Sequence, residues 1–151
     1  MLYVWKYEYE RWTGNKAVII KKDTQYDKLT KDDAIIMSYG KLSYKDKTST
    51  FPHLERVLKH KPTALVCDEA HILSNRETNY NITCTAVSRV VDTCIVATGT
   101  PARDKPWNVW GILHVMDPKR FTSYWNFIGS YFYTVTSVFS RYGTPEGFKA
   151  G

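Results

Sequence analysis

The chain has 151 residues and 17.5 kDa, with 21 Lys and Arg against 15 Asp and Glu, a net charge of +6. Its 43% hydrophobic and 15% aromatic content excludes disorder along the whole chain, and three scattered cysteines (Cys67, Cys84, Cys94) without a Cys-x-x-Cys pair exclude a disulfide or zinc scaffold. The first residues lack the apolar core of a signal peptide and no apolar run is long enough to span a membrane, so the expectation is one basic domain in a reducing compartment, too short for a two-lobed motor.

Leu2, Trp5, Tyr9 and Trp12 recur at helical spacing, which predicts an amphipathic helix over 2–12, stopped by Thr13-Gly14-Asn15. Ala17-Val18-Ile19-Ile20 is too short and apolar for a helix and reads as a strand. Residues 21–31 are charged and read as a loop or short helix around Tyr26 and Leu29. Ala34-Ile35-Ile36-Met37 is a second strand, followed by the turn signal Ser38-Tyr39-Gly40 and a polar stretch to Thr50. A helix over 52–60 carries Leu54, Val57 and Leu58 on one face and ends before Pro62. Thr63 to Cys67 reads as a third buried strand and Thr93 to Ala97 as a fourth, with a helix over 77–90 between them. Helices are predicted over 107–116 and 121–132. The tail from 134 to 151 is rich in Gly, Ser and Thr and gives no element signal.

Short apolar strands alternating with helical segments predict an α/β fold, with one parallel sheet sandwiched by helices. Ligands of such sheets gather at the carboxyl ends of the strands. Three strands end in polar clusters, Ser38-Tyr39, Asp68-Glu69-Ala70-His71 and Thr98-Gly99-Thr100, so the expectation places all three on one rim.

Adjacent carboxylates such as Asp68 and Glu69 repel unless a cation or proton intervenes. Mg²⁺ suits the pair, because it takes one or two carboxylates together with water and substrate phosphates. One carboxylate can hold the ion through water while the other polarises an attacking water. His71 stands where it could bond across the rim. A solvated acidic turn also accounts for Asp-Glu alone, and an ordinary Gly-Pro turn for Thr98-Gly99-Thr100-Pro101. The full string Asp-Glu-Ala-His has a chance frequency of roughly one in a thousand in a chain this long, and it follows a strand, the context the motif demands.

Asp68-Glu69-Ala70-His71, with Ala97-Thr98-Gly99-Thr100-Pro101 some thirty positions later, resembles motifs II and III of superfamily 2 helicases. Trp107, Trp110, Leu113, Pro118, Phe121, Phe127 and Phe132 narrow the resemblance to the Swi/Snf-type ATPases. Residues 35–42 resemble motif Ib of that family, and Trp5 to Trp12 its motif Ia helix. The resemblance implies a RecA-like helicase lobe spanning motifs Ia to III over 1–151, as a single partial lobe. It implies that Asp68 binds the Mg²⁺ of ATP and Glu69 acts as general base. His71, Thr98, Gly99 and Thr100 would couple nucleotide state to nucleic-acid binding. Ser38, Tyr39 and Lys41 would lie on the nucleic-acid track, with double-stranded DNA as the partner and ATP and Mg²⁺ as cofactors. Cytoplasmic residence in a bacterial or phage-infected cell, beside the nucleoid when DNA is bound, goes with this picture.

The family's phosphate-cradling loop, Gly-x-x-x-x-Gly-Lys-Ser/Thr, does not occur in the sequence. The one Gly-Lys, Gly40-Lys41, is followed by Leu42 and lacks the earlier glycine. The expectation is a lobe cut at both ends, without the second lobe and its arginine finger, and without ATPase activity on its own. In the family the loop's strand lies beside the motif III strand. The resemblance therefore implies an open edge at 94–97, filled by a second copy or by a separate chain carrying the missing strand. The rival expectation is a non-catalytic nucleic-acid-binding or interaction module on the same scaffold. A hydrolase using Asp68, Glu69 and His71 without nucleotide lacks a nucleophile or a metal-ligand set.

Helical spacing assigns Trp5, Trp12, Trp107, Trp110 and Trp125 to core packing. Lys21, Lys22, Lys28 and Lys31 read as a solvated face that attracts DNA. His53, His60 and His114 read as structural or surface residues, and Arg103-Asp104-Lys105 as a polar loop or an interface contact.

Overall fold

A computed structural model describes residues 1–102, 105–135 and 144–148, so Arg103 and Asp104 lie outside the described residues. The chain divides into two compact units, Met1–Pro62 and Thr63–Gly151.

In the first unit, helix α1 (Leu2–Thr13) stops at Gly14, whose left-handed φ of 72° needs no Cβ penalty and turns its N–H back to the Glu10 carbonyl. Strands β1 (Ala17–Ile19) and β2 (Ala34–Ile36) pair in parallel, with Ala17 opposite Ala34. A 3-10 turn (Asp23–Lys28) crosses between them. One helical turn, α2 (Tyr39–Leu42), follows β2 and is capped by the Ser38 hydroxyl, which accepts from Lys41 N–H. Helix α3 (Pro52–Lys59) starts on proline, where a missing N–H costs nothing. Ala17, Ile19, Ile20, Leu42, Leu54 and Val57 form the core.

The outward face of α1 departs from the expected pattern. Trp5 and Trp12 are exposed, with Tyr3, Val4 and Tyr7. The reason is polar. Lys6 Nζ donates to the Ala17 carbonyl at 2.6 Å, and Glu10 accepts from Ala17 N–H at 3.0 Å. These bonds satisfy the backbone at the start of β1 and turn Lys6 and Glu10 toward the strand.

In the second unit, β3 (Ala64–Cys67) and β4 (Thr93–Val96) pair in parallel, with Val66 opposite Ile95. Between them run a 3-10 turn (Ala70–Leu73) and α4 (Asn79–Ser88), the latter capped by the Thr78 hydroxyl. A short 3-10 segment (Pro106–Asn108) leads into α5 (Val109–Met116), and α6 (Tyr124–Tyr131) is capped by Ser123. Strands β5 (Phe132–Val135) and β6 (Thr144–Phe148) pair antiparallel, mostly within the tail from 134 for which no element was expected. The expected end of the last helix at 132 moves to Tyr131, because Phe132 is extended and starts β5.

Two expectations about the sheet change. Among the described residues the strands pair two by two, β1 with β2 and β3 with β4, rather than in one four-stranded sheet. Strands β3 and β4 are also covered on one face only. Helices α4 and α5 both pack on the face carrying Cys67 and Cys94, while Val66 and Ile95 are 50% and 52% exposed on the other. Trp110 and Phe132 are core residues, and Trp107 meets Phe132 edge-on with ring centres 6.0 Å apart. Trp125 lies at the surface. No helix among the described residues is long and apolar enough to cross a membrane.

All three thiols lie in this second unit. Cys84 is hydrogen-bonded to Cys67, and that bond, with burial, pushes the Cys84 thiol well up. Burial, seconded by Cys67, pushes Cys94 up to about 12, and its thiol donates to the Val115 carbonyl at 3.6 Å. Free cysteines in this setting stay protonated.

Candidate functional site

The chain leaves β3 at Cys67 and turns at once through Asp68 and Glu69. Glu69 sits at φ 51°, ψ 45°, a left-handed conformation that costs a residue with a Cβ roughly 1–2 kcal/mol. Its N–H is held by the Asp68 carboxylate at 2.9 Å. Strain of this kind gathers at functional turns, where the surroundings hold it in place. Here those surroundings are backbone bonds from the neighbouring strand. Ala97 N–H donates to the Cys67 carbonyl at 2.8 Å, and Ala70 N–H donates to the Ala97 carbonyl at 2.9 Å. Ala97 therefore clamps the acidic turn on both sides, and Thr98 is the next residue.

Asp68, Glu69, His71, Thr98, Gly99 and Thr100 are thus brought together at the carboxyl ends of one strand pair. Asp68 is half-buried and the Glu69 side chain is 54% exposed. Nδ1 of His71 lies 3.2 Å from Oε2 of Glu69, off the hydrogen-bonding direction, and this buried nitrogen has no hydrogen bond. A buried polar atom without a hydrogen bond is costly, and the nearby Glu69 carboxylate offsets part of that cost when the imidazole is protonated. Thr98 Oγ1 accepts from Thr100 N–H at 3.2 Å, which folds the Thr-Gly-Thr segment on itself. A Cβ on Gly99 would meet nothing within 4 Å, so the space above that backbone is open.

The second support of the turn was not visible as a motif. Asn81 on α4 is 2% exposed, and its Nδ2 donates to the carbonyls of Leu73 at 2.6 Å and Gly111 at 2.9 Å. Thr85 donates to its Oδ1 at 3.2 Å. One amide therefore ties the end of the Asp-Glu-Ala-His turn to α5. Gly111 permits the approach, because a Cβ there would fall 2.6 Å from the Leu73 carbonyl oxygen and closer still to that of Ser74.

Ser38, Tyr39 and Lys41 belong to the first unit. They gather at α2 with residues that the sequence did not link to them. Asp23, Ser38, Gly40, Lys41, Tyr44, Pro52 and His53 line a cavity of about 510 Å³. His53 is buried, and burial and then the Lys41 charge hold its imidazole below the usual histidine range. Nothing in spacing connects Asp23 with His53, thirty residues apart. The only signal available was the pair His53 and Arg56 on one helix face.

Among the described residues no three His, Cys, Asp or Glu side chains converge to hold a metal. The acidic turn therefore does not suit a resident ion. It suits Mg²⁺ brought in with phosphate oxygens and water, which needs only one or two protein carboxylates. The residues do not fit a triphosphate by themselves, because no Gly-x-x-x-x-Gly-Lys-Ser/Thr cradle is present in the sequence.

Parallel strand pairs packed with helices make the fold α/β. The profile of the SNF2-related domain matches residues 1–135, and the chain belongs to that family. The family is helicase-like, works with ATP and acts on nucleic acid. No curated protein matches the chain in sequence.

Proposed function

We propose that this chain is the motif-bearing part of a DNA-dependent ATPase lobe, a translocase component acting on double-stranded DNA. The observation that carries this reading is the clamp of Ala97 on the Asp68-Glu69 turn, which joins the carboxylates to the Thr98-Gly99-Thr100 segment through two backbone bonds. Asp68 would hold the Mg²⁺ of a nucleotide, and the ion would supply charge neutralisation at phosphate oxygens when bound. In a lobe completed by a phosphate cradle, Glu69, exposed and held in its left-handed turn, would orient a water and accept its proton. His71, with Nδ1 unbonded beside Glu69, and the two threonine hydroxyls report the nucleotide's state to the rest of the lobe.

Nucleic acid is met by the first unit through Ser38, Tyr39 and Lys41. Charge favours this division. Of the formal charge, residues 1–62 hold 13 Lys and Arg against 8 Asp and Glu, and residues 63–151 hold 8 against 7. A basic surface releases counterions on binding DNA, which gives an affinity that falls steeply with salt.

The polypeptide does not hydrolyse ATP by itself, since the phosphate cradle is not among its 151 residues. The test pairs an ATPase assay with a salt-dependent titration of double-stranded DNA. The expected result is salt-sensitive DNA binding without turnover. Turnover that Glu69→Gln abolishes would overturn the expectation of inactivity. Absence of DNA binding at low salt would overturn the translocase reading.

A further inference from the structure

In the first unit three basic side chains converge on one carboxylate. Lys41 Nζ lies 3.9 Å from Asp23, His53 Nε2 3.8 Å and Arg56 Nη2 3.7 Å. They come from two elements, Lys41 from α2 and His53 and Arg56 from α3, around an acid on the 3-10 turn. Yet none of these contacts reaches hydrogen-bond length. The Asp23 side chain is 60% exposed, and ion pairs this long and this wet are worth little. The carboxylate sits loosely against donors that could hold another anion better.

The donors themselves are well fixed. The Tyr26 hydroxyl is 3.1 Å from Nδ1 of His53. Burial pushes Tyr26 up to about 12, so the hydroxyl keeps its proton. Its bond to Nδ1 holds the ring with Nε2 facing Asp23. Arg56 is anchored separately, donating to the Asp23 backbone carbonyl at 3.2 Å and lying over the Tyr26 ring. The Ser38 and Tyr44 side chains line the same cavity, whose 510 Å³ falls within the roughly 300–1,000 Å³ of small-ligand pockets.

We propose that this cavity is a phosphate site of the nucleic-acid interface, with Asp23 as a built-in competitor whose carboxylate is displaced by a backbone phosphate. The chemistry is that of a tetrahedral oxyanion. A phosphodiester offers more oxygens to Lys41, His53 and Ser38 in the cavity wall, and to Arg56 beside Asp23, than a carboxylate does. The inference rests on the reading of the first unit as the DNA-binding part, and it names Asp23, His53 and Arg56 as members of that interface.

The experiment is fluorescence anisotropy of the full chain with a labelled duplex of about 20 base pairs, over a salt series from about 50 to 200 mM. Asp23→Asn is expected to tighten binding about three- to tenfold and to steepen the salt slope by about one, because one more phosphate is engaged. Lys41→Ala is expected to weaken binding and flatten the slope. Asp27→Asn, on the same 3-10 turn but not part of the cavity lining, removes the same charge and is expected to change little. Equal gains from Asp23→Asn and Asp27→Asn would reduce the effect to bulk charge and overturn the site. Wild-type binding unchanged by Asp23→Asn would overturn it too, while leaving the DNA reading intact. No binding by either protein would overturn both. Displacement of the duplex by millimolar inorganic phosphate at constant ionic strength would reassign the cavity to a free anion and overturn the backbone assignment.

Discussion

Glu69 is the residue at which local energy and proposed chemistry oppose each other. Its backbone is left-handed, and the Asp68 carboxylate, the Ala97 clamp and the Ile72 N–H on its carbonyl hold it so. Gly at this position removes the Cβ conflict, offset partly by a more flexible unfolded chain. Glu69→Gly is expected to raise stability by up to about 1 kcal/mol, whereas Glu69→Gln, which keeps the shape, leaves it unchanged. Urea denaturation followed by fluorescence checks both, and a destabilised glycine variant would show that the carboxylate contributes more than the turn costs. The acidic pair itself was legible from the sequence, since Asp-Glu-Ala-His after an apolar run is a short motif with a fixed context. Its strain was not. No residue type announces positive φ here, because glutamate is not a turn former and the constraint comes from Ala97, nearly thirty residues away.

At the scale of elements, the seam between the 3-10 turn, α4 and α5 decides whether the acidic turn is rigid. Asn81 and Gly111 form that seam together. Gly111→Ala would drive a methyl group into the carbonyls of Leu73 and Ser74, and is expected to cost about 2–3 kcal/mol. Asn81→Ala leaves two buried carbonyls without their donor and is expected to cost a similar amount. The two losses share one structure, so the double variant should lose less than their sum. Full additivity in urea unfolding would mean that the seam is not a unit. Sequence periodicity located the elements here to within a few residues, with α4, β4 and α5 all where the apolar spacing put them. It missed the seam, because a buried asparagine in a Thr-rich helix looks like weak helix propensity rather than a bridge. It also erred on α1, where the aromatic stripe suggested a core face while Lys6 and Glu10 in fact meet β1.

For the whole molecule, the exposed side of the β3–β4 pair is the main liability. Parallel strands are ordinarily covered on both faces, and here Val66 and Ile95 face outward beside an edge of β4 that pairs with no strand among the described residues. Self-association through this surface is the expected behaviour, seen as a sedimentation coefficient that rises with concentration. Ile95→Lys should hold it constant, since a charge on an open strand blocks pairing. A wild-type protein that sediments as a monomer throughout the range would show that the surface is tolerated bare. The same scale carries the charge asymmetry between the two units. It predicts that salt acts on DNA binding chiefly through residues 1–62.

The thiols of Cys67, Cys84 and Cys94 give the second unit a private clock. Cys67 and Cys84 are buried, Cys84 on α4 itself, and Cys94 is partly covered, with Cys84 and Cys94 held protonated, so alkylation is slow while the unit is closed, and the first unit has no cysteine to confuse the signal. The rate at which they become labelled therefore counts openings of the half that carries Asp68 and Glu69, one half at a time. Compared with the fluorescence of the intact chain, it distinguishes a protein that breathes as one body from one whose two halves open on separate schedules.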